Sequence, residues 1–410
     1  MKALVFGTDP GPVPPPPDDA NRLTRHLATT PMAVEDRPDP TLLADDWLVL
    51  QTRLTGICGS DTKQVLMDFD DADDNPMTAF ISFPQVLGHE VVATVVEAGP
   101  AVRPGLEPGT RVVLNPWLSC GPRGIDPPCP ACRSGDFSAC WSFCDGRLAP
   151  GIHTGNSSDA TGGFAERLPA HELMVFPVPE AIPDEVAVLA DPFSVALHAI
   201  VRTPPPPGGR VVVYGAGALG TCATAILGAL YPDVEVATIA RWPAQASLAQ
   251  RLGAHVVAPE PAEAVIEALA AWSGATLRAP WAGLPVAYPG HIDVVYDTVG
   301  YPQTVEVGLR VLAHGGALVQ LGVASPARFE WTPWYFKELR LVGSNAFGVE
   351  TVRGERRHAI EHYLALVEDG TVDVAPMLTH TFRLEAWRDA FTTIIDQGTT
   401  GAIKVAFDFR

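Results

Sequence analysis

The sequence predicts an α/β chain of two domains, a mainly antiparallel β domain and a doubly wound parallel unit, and three observations carry that prediction. Short β-branched runs such as DDWLVLQTRL, GHEVVATVVEAG and TRVVLNPW, punctuated by glycine and proline, occupy the stretch from Asp46 to about Pro192. That is the pattern of short strands joined by turns. After Asp191 the pattern changes to the apolar runs VVVYGAG, VEVATIA, HIDVVYDTV and GALVQLG, separated by helix-length segments such as AQASLAQRLGA. Strands that are apolar throughout and alternate with helices belong to a parallel sheet covered on both faces. Finally, two sets of metal-ligand residue types lie upstream of a glycine-rich loop, so candidate metal sites and a candidate nucleotide site fall in different halves.

In chain order, MKALVFG reads as an opening strand, and the proline-rich stretch Pro10 to Pro17 as an exposed insertion, because proline rings deny donors to helix or sheet. PFSVALHAIVR reads as a helix ended by Pro204 to Pro207. The tail, with helical RRHAIEHYLALVEDG and EAWRDAFTTIIDQG before a final strand GAIKVAFDF, is expected to return to the first domain. The expected boundaries are residues 1–192 and 344–410 for the β domain, with a cysteine lobe near 117–144, and 193–343 for the α/β unit.

With 410 residues, an ordinary apolar fraction and a formal charge of −19, the chain is expected to bury a large core and to avoid nucleic acid, which is bound by Lys/Arg stripes. A small-molecule partner is expected instead. There is no cationic leader and no apolar run of about 18 residues, so a soluble cytoplasmic protein without membrane partners is expected. Of seven cysteines, four stand at metal-ligand spacing, which favours reduced, metal-bound thiols over disulfides; Cys144 and Cys222 are unassigned.

The loop GAGALG places Gly215, Gly217 and Gly220, with Ala218 and Leu219 between them, after the strand VVVY and before an apolar helix. The glycines allow a tight turn, approach of a pyrophosphate and close helix–strand packing, with the helix N-terminus facing the phosphate charge. The context distinguishes it from an ordinary glycine turn. Roughly twenty residues on, where an NAD-binding unit carries a carboxylate for the ribose, this chain has Ala240 and then Arg241. The missing anion and the added cation predict a preference for NADP, the alternative being a solvated arginine.

The metal candidates are of two kinds. Cys58 in GICGSD, His89 and Glu90 in LGHE, and Asp191 in LADPFSVALHA are scattered, whereas Cys120, Cys129, Cys132 and Cys140 are clustered. A catalytic zinc takes few ligands from separate segments and keeps one position open; four thiolates close the tetrahedron of a structural zinc. Singly, a cysteine reads as a small core residue and a histidine as a satisfied polar one. Their joint occurrence predicts metal.

These landmarks, together with GGFAERLPA, DVVYDTVG and KELRLVGSNAFG, make the chain resemble the zinc-containing medium-chain alcohol dehydrogenase superfamily nearly end to end. The resemblance implies a GroES-like catalytic domain and a Rossmann NAD(P)-binding domain. It implies Cys58 and His89 as ligands of the catalytic zinc, Glu90 as a ligand or its close neighbour, and Thr298 of DVVYDTVG beside the cofactor. Asp191 before Pro-Phe is similar to the sorbitol, glucose and threonine dehydrogenase-like members, which implies a secondary alcohol, polyol, sugar or amino-alcohol substrate; a helix N-cap is its plainer reading. Ser60, two residues after the cysteine, stands where the family begins a proton relay, or is an ordinary turn serine. Lys63 replaces the histidine that continues the relay in many members. With an ordinary pKa of about 10.4 it is a poor shuttle, and it binds a cofactor phosphate or ribose or is simply solvated.

The cysteine lobe departs from the family's C-x2-C-x2-C-x7-C by six extra residues in the first gap, GPRGIDPP following Cys120. A loop can bulge without moving its anchors, so one structural and one catalytic zinc are still expected. The acidic run Asp68, Asp70, Asp71, Asp73 and Asp74 reads as a solvated loop, or as an attractor of cationic substrates. Its neighbours Met77, Phe80 and Phe83 line a substrate cleft or anchor the loop. The family commonly forms homodimers or homotetramers. The competing readings are an aldehyde or ketone reductase with the same residues, and a non-catalytic nucleotide-binding homologue, against which the retained metal residues argue.

Overall fold

The computed structural model describes residues 1–10, 22–67, 76–323 and 328–410. The run Asp68 to Asp74 and the prolines from Pro12 to Pro17 lie outside them. The chain forms two compact units: residues 1–191, 356–369 and 378–410, and residues 192–355 and 370–377.

The first unit is built around the long strand Trp47–Gly56, which pairs antiparallel with Glu90–Ala98, with Arg167–His171 and with the C-terminal strand Lys404–Asp408. Arg111–Leu114, Val175–Pro177 and Leu378–Phe382 complete the seven-stranded sheet. Lys2–Phe6 forms a smaller sheet with Met32–Asp36 and Gln85–Val86. Two apolar cores flank these sheets, one around Phe164, Trp387, Phe391 and Phe407, the other around Trp47, Leu50, Leu114 and Val175. Phe164 meets the edge of Phe407 at 4.9 Å, a favoured aromatic geometry. The register matters for function: Gly56 stands opposite Glu90 on one side and Ala406 on the other.

The second unit holds a six-stranded sheet whose pairs are all parallel, in the order His255–Val257, Glu235–Ile239, Arg210–Tyr214, Ile292–Asp297, Leu312–Gln320, Arg340–Gly343. This is the Rossmann order 3-2-1-4-5-6. Its topological switch point lies between Arg210–Tyr214 and Ile292–Asp297. The helices Ala218–Leu230, Pro243–Arg251, Ala262–Ser273 and Pro302–Val311 supply the crossovers. Lys337, wholly buried, donates its three protons to the carbonyls of Leu309, Arg310 and Leu312 at the end of the last of these helices. Those are acceptors that a helix C-terminus leaves unpaired. Among the described residues no helix is long and apolar enough to cross a membrane.

Candidate metal centres and nucleotide site

Cys58 is the N-cap of the short helix Gly59–Val65, and the carboxylate of Asp61 accepts its backbone N–H at 2.9 Å. His89 directly precedes the strand that Glu90 opens. One ligand atom from each of Cys58, His89 and Glu90 lies within 4.8 Å of the other two, so three donors from separate segments converge. Asp191 is buried nearby, in the first turn of the helix Ala190–Arg202 and not at its cap, but its carboxylate is not part of that set. It shares the electrostatic field: burial, opposed by His89, pushes it up to about 7.

Two residues that sequence reading passed over complete the centre. Asp61 is buried with Oδ1 at 3.6 Å from Nδ1 of His89, a nitrogen that is itself buried without a hydrogen-bond partner. Burial alone would depress His89, yet Asp61, Cys58 and Asp191 together hold it well above the ordinary histidine value. Lys404, from the last strand, is ion-paired with the buried carboxylate of Glu90. Burial opposes its charge, and Glu90, Cys58 and Asp191 outweigh that and keep it an ammonium. A Cβ on Gly56 would overlap Oε2 of Glu90 and crowd Cε of Lys404 at 2.8 Å, so only glycine leaves room for the pair.

A thiol, an imidazole with an orphaned buried nitrogen and a carboxylate are a donor set suited to Zn²⁺ with one position left for substrate. The ring of His153 lies tilted at 4.6 Å from that of His89, and burial beside that ring pulls it down to about 3, so it is neutral. Ser60 is exposed on the helix that Cys58 caps, and Lys63 is half-buried on the same helix. Met77, Phe80 and Phe83 are exposed, and Phe83 leans on Phe6 at 6.2 Å.

The four lobe cysteines also bring their sulfurs within 4.8 Å of one another. Cys120 and Cys140 stand 3.6 Å apart, too far for a disulfide and close to the edge of about 3.8 Å of a zinc–thiolate tetrahedron with bonds of about 2.3 Å. Backbone N–H groups of Cys129, Cys132 and Ser142 point at the sulfurs of Cys120, Cys129 and Cys140, as they do toward thiolates. The six-residue excess leaves the four anchors together, and only part of it, with Gly124, Asp126 and Pro127, is exposed. Within it Arg123 is fully buried and donates to the carbonyls of Leu118, Asp145, Leu148, Ala149 and Gly151.

In the nucleotide loop Gly215 has φ +95°, and a Cβ on Gly220 would overlap the carbonyl of Gly215, while Gly217, the helix N-cap, faces open space. Turn, close packing and room for phosphate are thus divided among the three. Ala218 and Leu219 form the first helical turn, half-buried. Thr298 donates to the carbonyl of Tyr214 at 2.8 Å, tying the two strand ends together at the switch point. Arg241 is exposed, lies over the ring of Trp242 and is 3.7 Å from Glu260.

The chain matches the family of the alcohol dehydrogenase GroES-like domain over residues 44–180 and that of zinc-binding dehydrogenases over residues 218–362. It belongs to the zinc-containing medium-chain alcohol dehydrogenase superfamily. It is 29% identical over 362 residues to "Probable D-xylulose reductase A" of Arthroderma otae, covering 88% of this chain and 90% of that one. Over 387 residues it is 27% identical to the (R,R)-butanediol dehydrogenase of Saccharomyces cerevisiae, covering 88% and 91%. An alcohol dehydrogenase from Thermus sp. ATN1 has the same fold, with a TM-score of 0.73, 23% identity and full coverage of both chains. The GroES-like and Rossmann fold expected from the motifs is therefore the fold of this chain.

Proposed function

We propose that this zinc- and NAD(P)-dependent oxidoreductase moves a hydride between the carbinol carbon of a secondary alcohol or polyol and the nicotinamide. The convergence of Cys58, His89 and Glu90, with a coordination position to spare, carries the reading. These three residues would hold the zinc, which when bound supplies a Lewis acid that makes a substrate hydroxyl acidic at neutral pH. The nicotinamide supplies the hydride acceptor or donor. Asp61 accepts the N–H of Cys58 and places a buried carboxylate 3.6 Å from the imidazole of His89, so the surroundings of the donor set favour positive charge. Lys404 neutralises Glu90 and keeps the carboxylate at the centre without adding net negative charge. Asp191 adds a buried carboxyl poised to exchange a proton or contact substrate. Ser60, exposed two residues from Cys58, is the group that would pass the released proton to water.

Gly215, Gly217 and Gly220 seat the pyrophosphate at the N-terminus of the helix that Ala218 begins. Arg241 favours NADP, because the strand before it ends without a carboxylate. The proposal includes one catalytic and one structural zinc per chain, a cytoplasmic location and a homo-oligomer. The exposed edge strand Arg340–Gly343 supports the last of these.

The test is a screen of polyols, aldoses, amino alcohols and simple alcohols with NAD and NADP, with and without a chelator. Turnover of a secondary alcohol that the chelator abolishes and zinc restores is expected. Failure of every alcohol and every corresponding ketone on protein carrying two zinc ions would overturn the proposal.

A further inference from the structure

We propose that His153 reads the second hydroxyl of a vicinal diol, accepting its hydrogen bond at Nε2 while the first hydroxyl takes the position left open by Cys58, His89 and Glu90. The inference rests on the proposed dehydrogenase function and names the substrate class for it. His153 belongs to a segment the fold holds firmly. Its backbone bridges Trp117, Trp117 meets its ring edge-on at 5.8 Å, and Arg123 ties down the carbonyls of Leu148, Ala149 and Gly151 just before it.

The imidazole is fixed in one tautomer. Nδ1 lies 2.8 Å from the carbonyl of Thr154, and since a carbonyl only accepts, Nδ1 carries the proton and Nε2 of the neutral ring is left with a lone pair. The hydrogen bond of His153 is made at Nδ1, the residue is half-buried, and its ring lies 4.6 Å from that of His89 in the donor set, which leaves Nε2 as the acceptor on offer. The centre already holds the carboxyls of Asp61, Glu90 and Asp191. A neutral acceptor there suits the O–H of a polyol without adding another anion. A site that offers a fixed acceptor discriminates against the analogue lacking the donor.

The test uses the zinc-loaded full chain with 2,3-butanediol and 2-butanol, which share a carbon skeleton and a secondary carbinol and differ in the second hydroxyl. His153→Phe keeps an aromatic ring between Trp117 and His89 and removes the acceptor; His153→Gln offers an amide oxygen instead. His153→Phe should raise KM for the diol about tenfold with kcat nearly unchanged, and leave both constants for 2-butanol within about twofold, as loss of one hydrogen bond made equally before and during reaction predicts. His153→Gln should recover most of the loss. Calorimetric affinity of the holoenzyme for the diol should weaken by the same factor at unchanged zinc content, and His153→Leu serves if the phenylalanine variant does not fold. Equal losses on both alcohols, or none on either, would overturn the role of His153 while leaving the dehydrogenase reading intact. A wild-type enzyme inactive on every alcohol would overturn that reading itself, and this inference with it.

Discussion

Lys404 and Glu90 lie on strands flanking Trp47–Gly56 on opposite sides, and they meet as a buried ion pair across the gap left by the missing side chain of Gly56. The carboxylate is 1% and the ammonium 3% exposed at the side chain, so water does not screen them. Removing one partner strands the other as an uncompensated buried charge, typically at a cost of about 3 to 5 kcal/mol. Lys404→Met should therefore lower the thermal midpoint by several degrees, and Gly56→Ala should do so by forcing the pair apart. A midpoint unchanged in both variants would contradict the pairing.

Arg123 sits within the segment by which this chain departs from its family, and its guanidinium satisfies five carbonyls in and around the lobe. Lysine has neither the planar fork nor as many donors. Arg123→Lys should thus fail to restore what Arg123→Met removes. Both variants should lose the lobe zinc to a chelator at least about tenfold faster than the wild type, read from zinc release with a colorimetric chelator. Release at the wild-type rate would mean that the cysteines hold the lobe without help.

What was legible in the sequence was whatever depends on spacing. The four cysteines, the three glycines and the alternation of apolar runs with helical segments all encode geometry locally, and the sheet order and the cysteine cluster follow from them. Lys404, Asp61 and His153 were not legible, because each is a lone polar residue whose meaning comes from strands or loops that pass beside it. Asp61 had a faint signal: a carboxylate three residues after Cys58 is the spacing of a capping box, hidden because the cap is a cysteine and not Ser or Thr. Arg123 was hidden because nothing in the order of the inserted residues reveals the ring of carbonyls that its side chain enters.

Lys337 makes stability depend on pH. Burial pulls its folded-state pKa down to about 7 from an ordinary value near 10.5. Between those values the unfolded chain binds the proton more readily, so stability should rise with pH from about 7 toward 10. Below pH 7 both states are protonated, and the full cost of burying the charge is present. Lys337→Met cannot titrate, so the difference in thermal midpoint between wild type and variant should shift toward the wild type as pH rises from 6.5 to 9. At pH 9 the neutral amine still donates two N–H groups to the carbonyls of Leu309, Arg310 and Leu312, which methionine cannot, so the variant should be the less stable protein there. A pH-independent difference would mean that Lys337 stays charged in the fold.

Arg241 is the residue proposed to set the preference for NADP. It follows the second strand of the Rossmann unit, where Ala240 offers no anion to a ribose, and its guanidinium rests on Trp242 with Glu260 3.7 Å away. Both Arg241 and Glu260 are exposed, so that ion pair is weak and a 2′-phosphate can displace the carboxylate. A guanidinium–phosphate contact is charge-assisted and can be bidentate, worth about 1.5 to 3 kcal/mol, or roughly ten- to a hundredfold in affinity. Arg241→Ala should raise KM for NADP by that factor and leave KM for NAD within about twofold. Glu260→Gln, which removes the competing anion, should lower KM for NADP. If the wild type instead binds NAD more tightly than NADP, and Arg241→Ala alters neither constant, the arginine is a solvated surface residue and the preference is set elsewhere on the strand end.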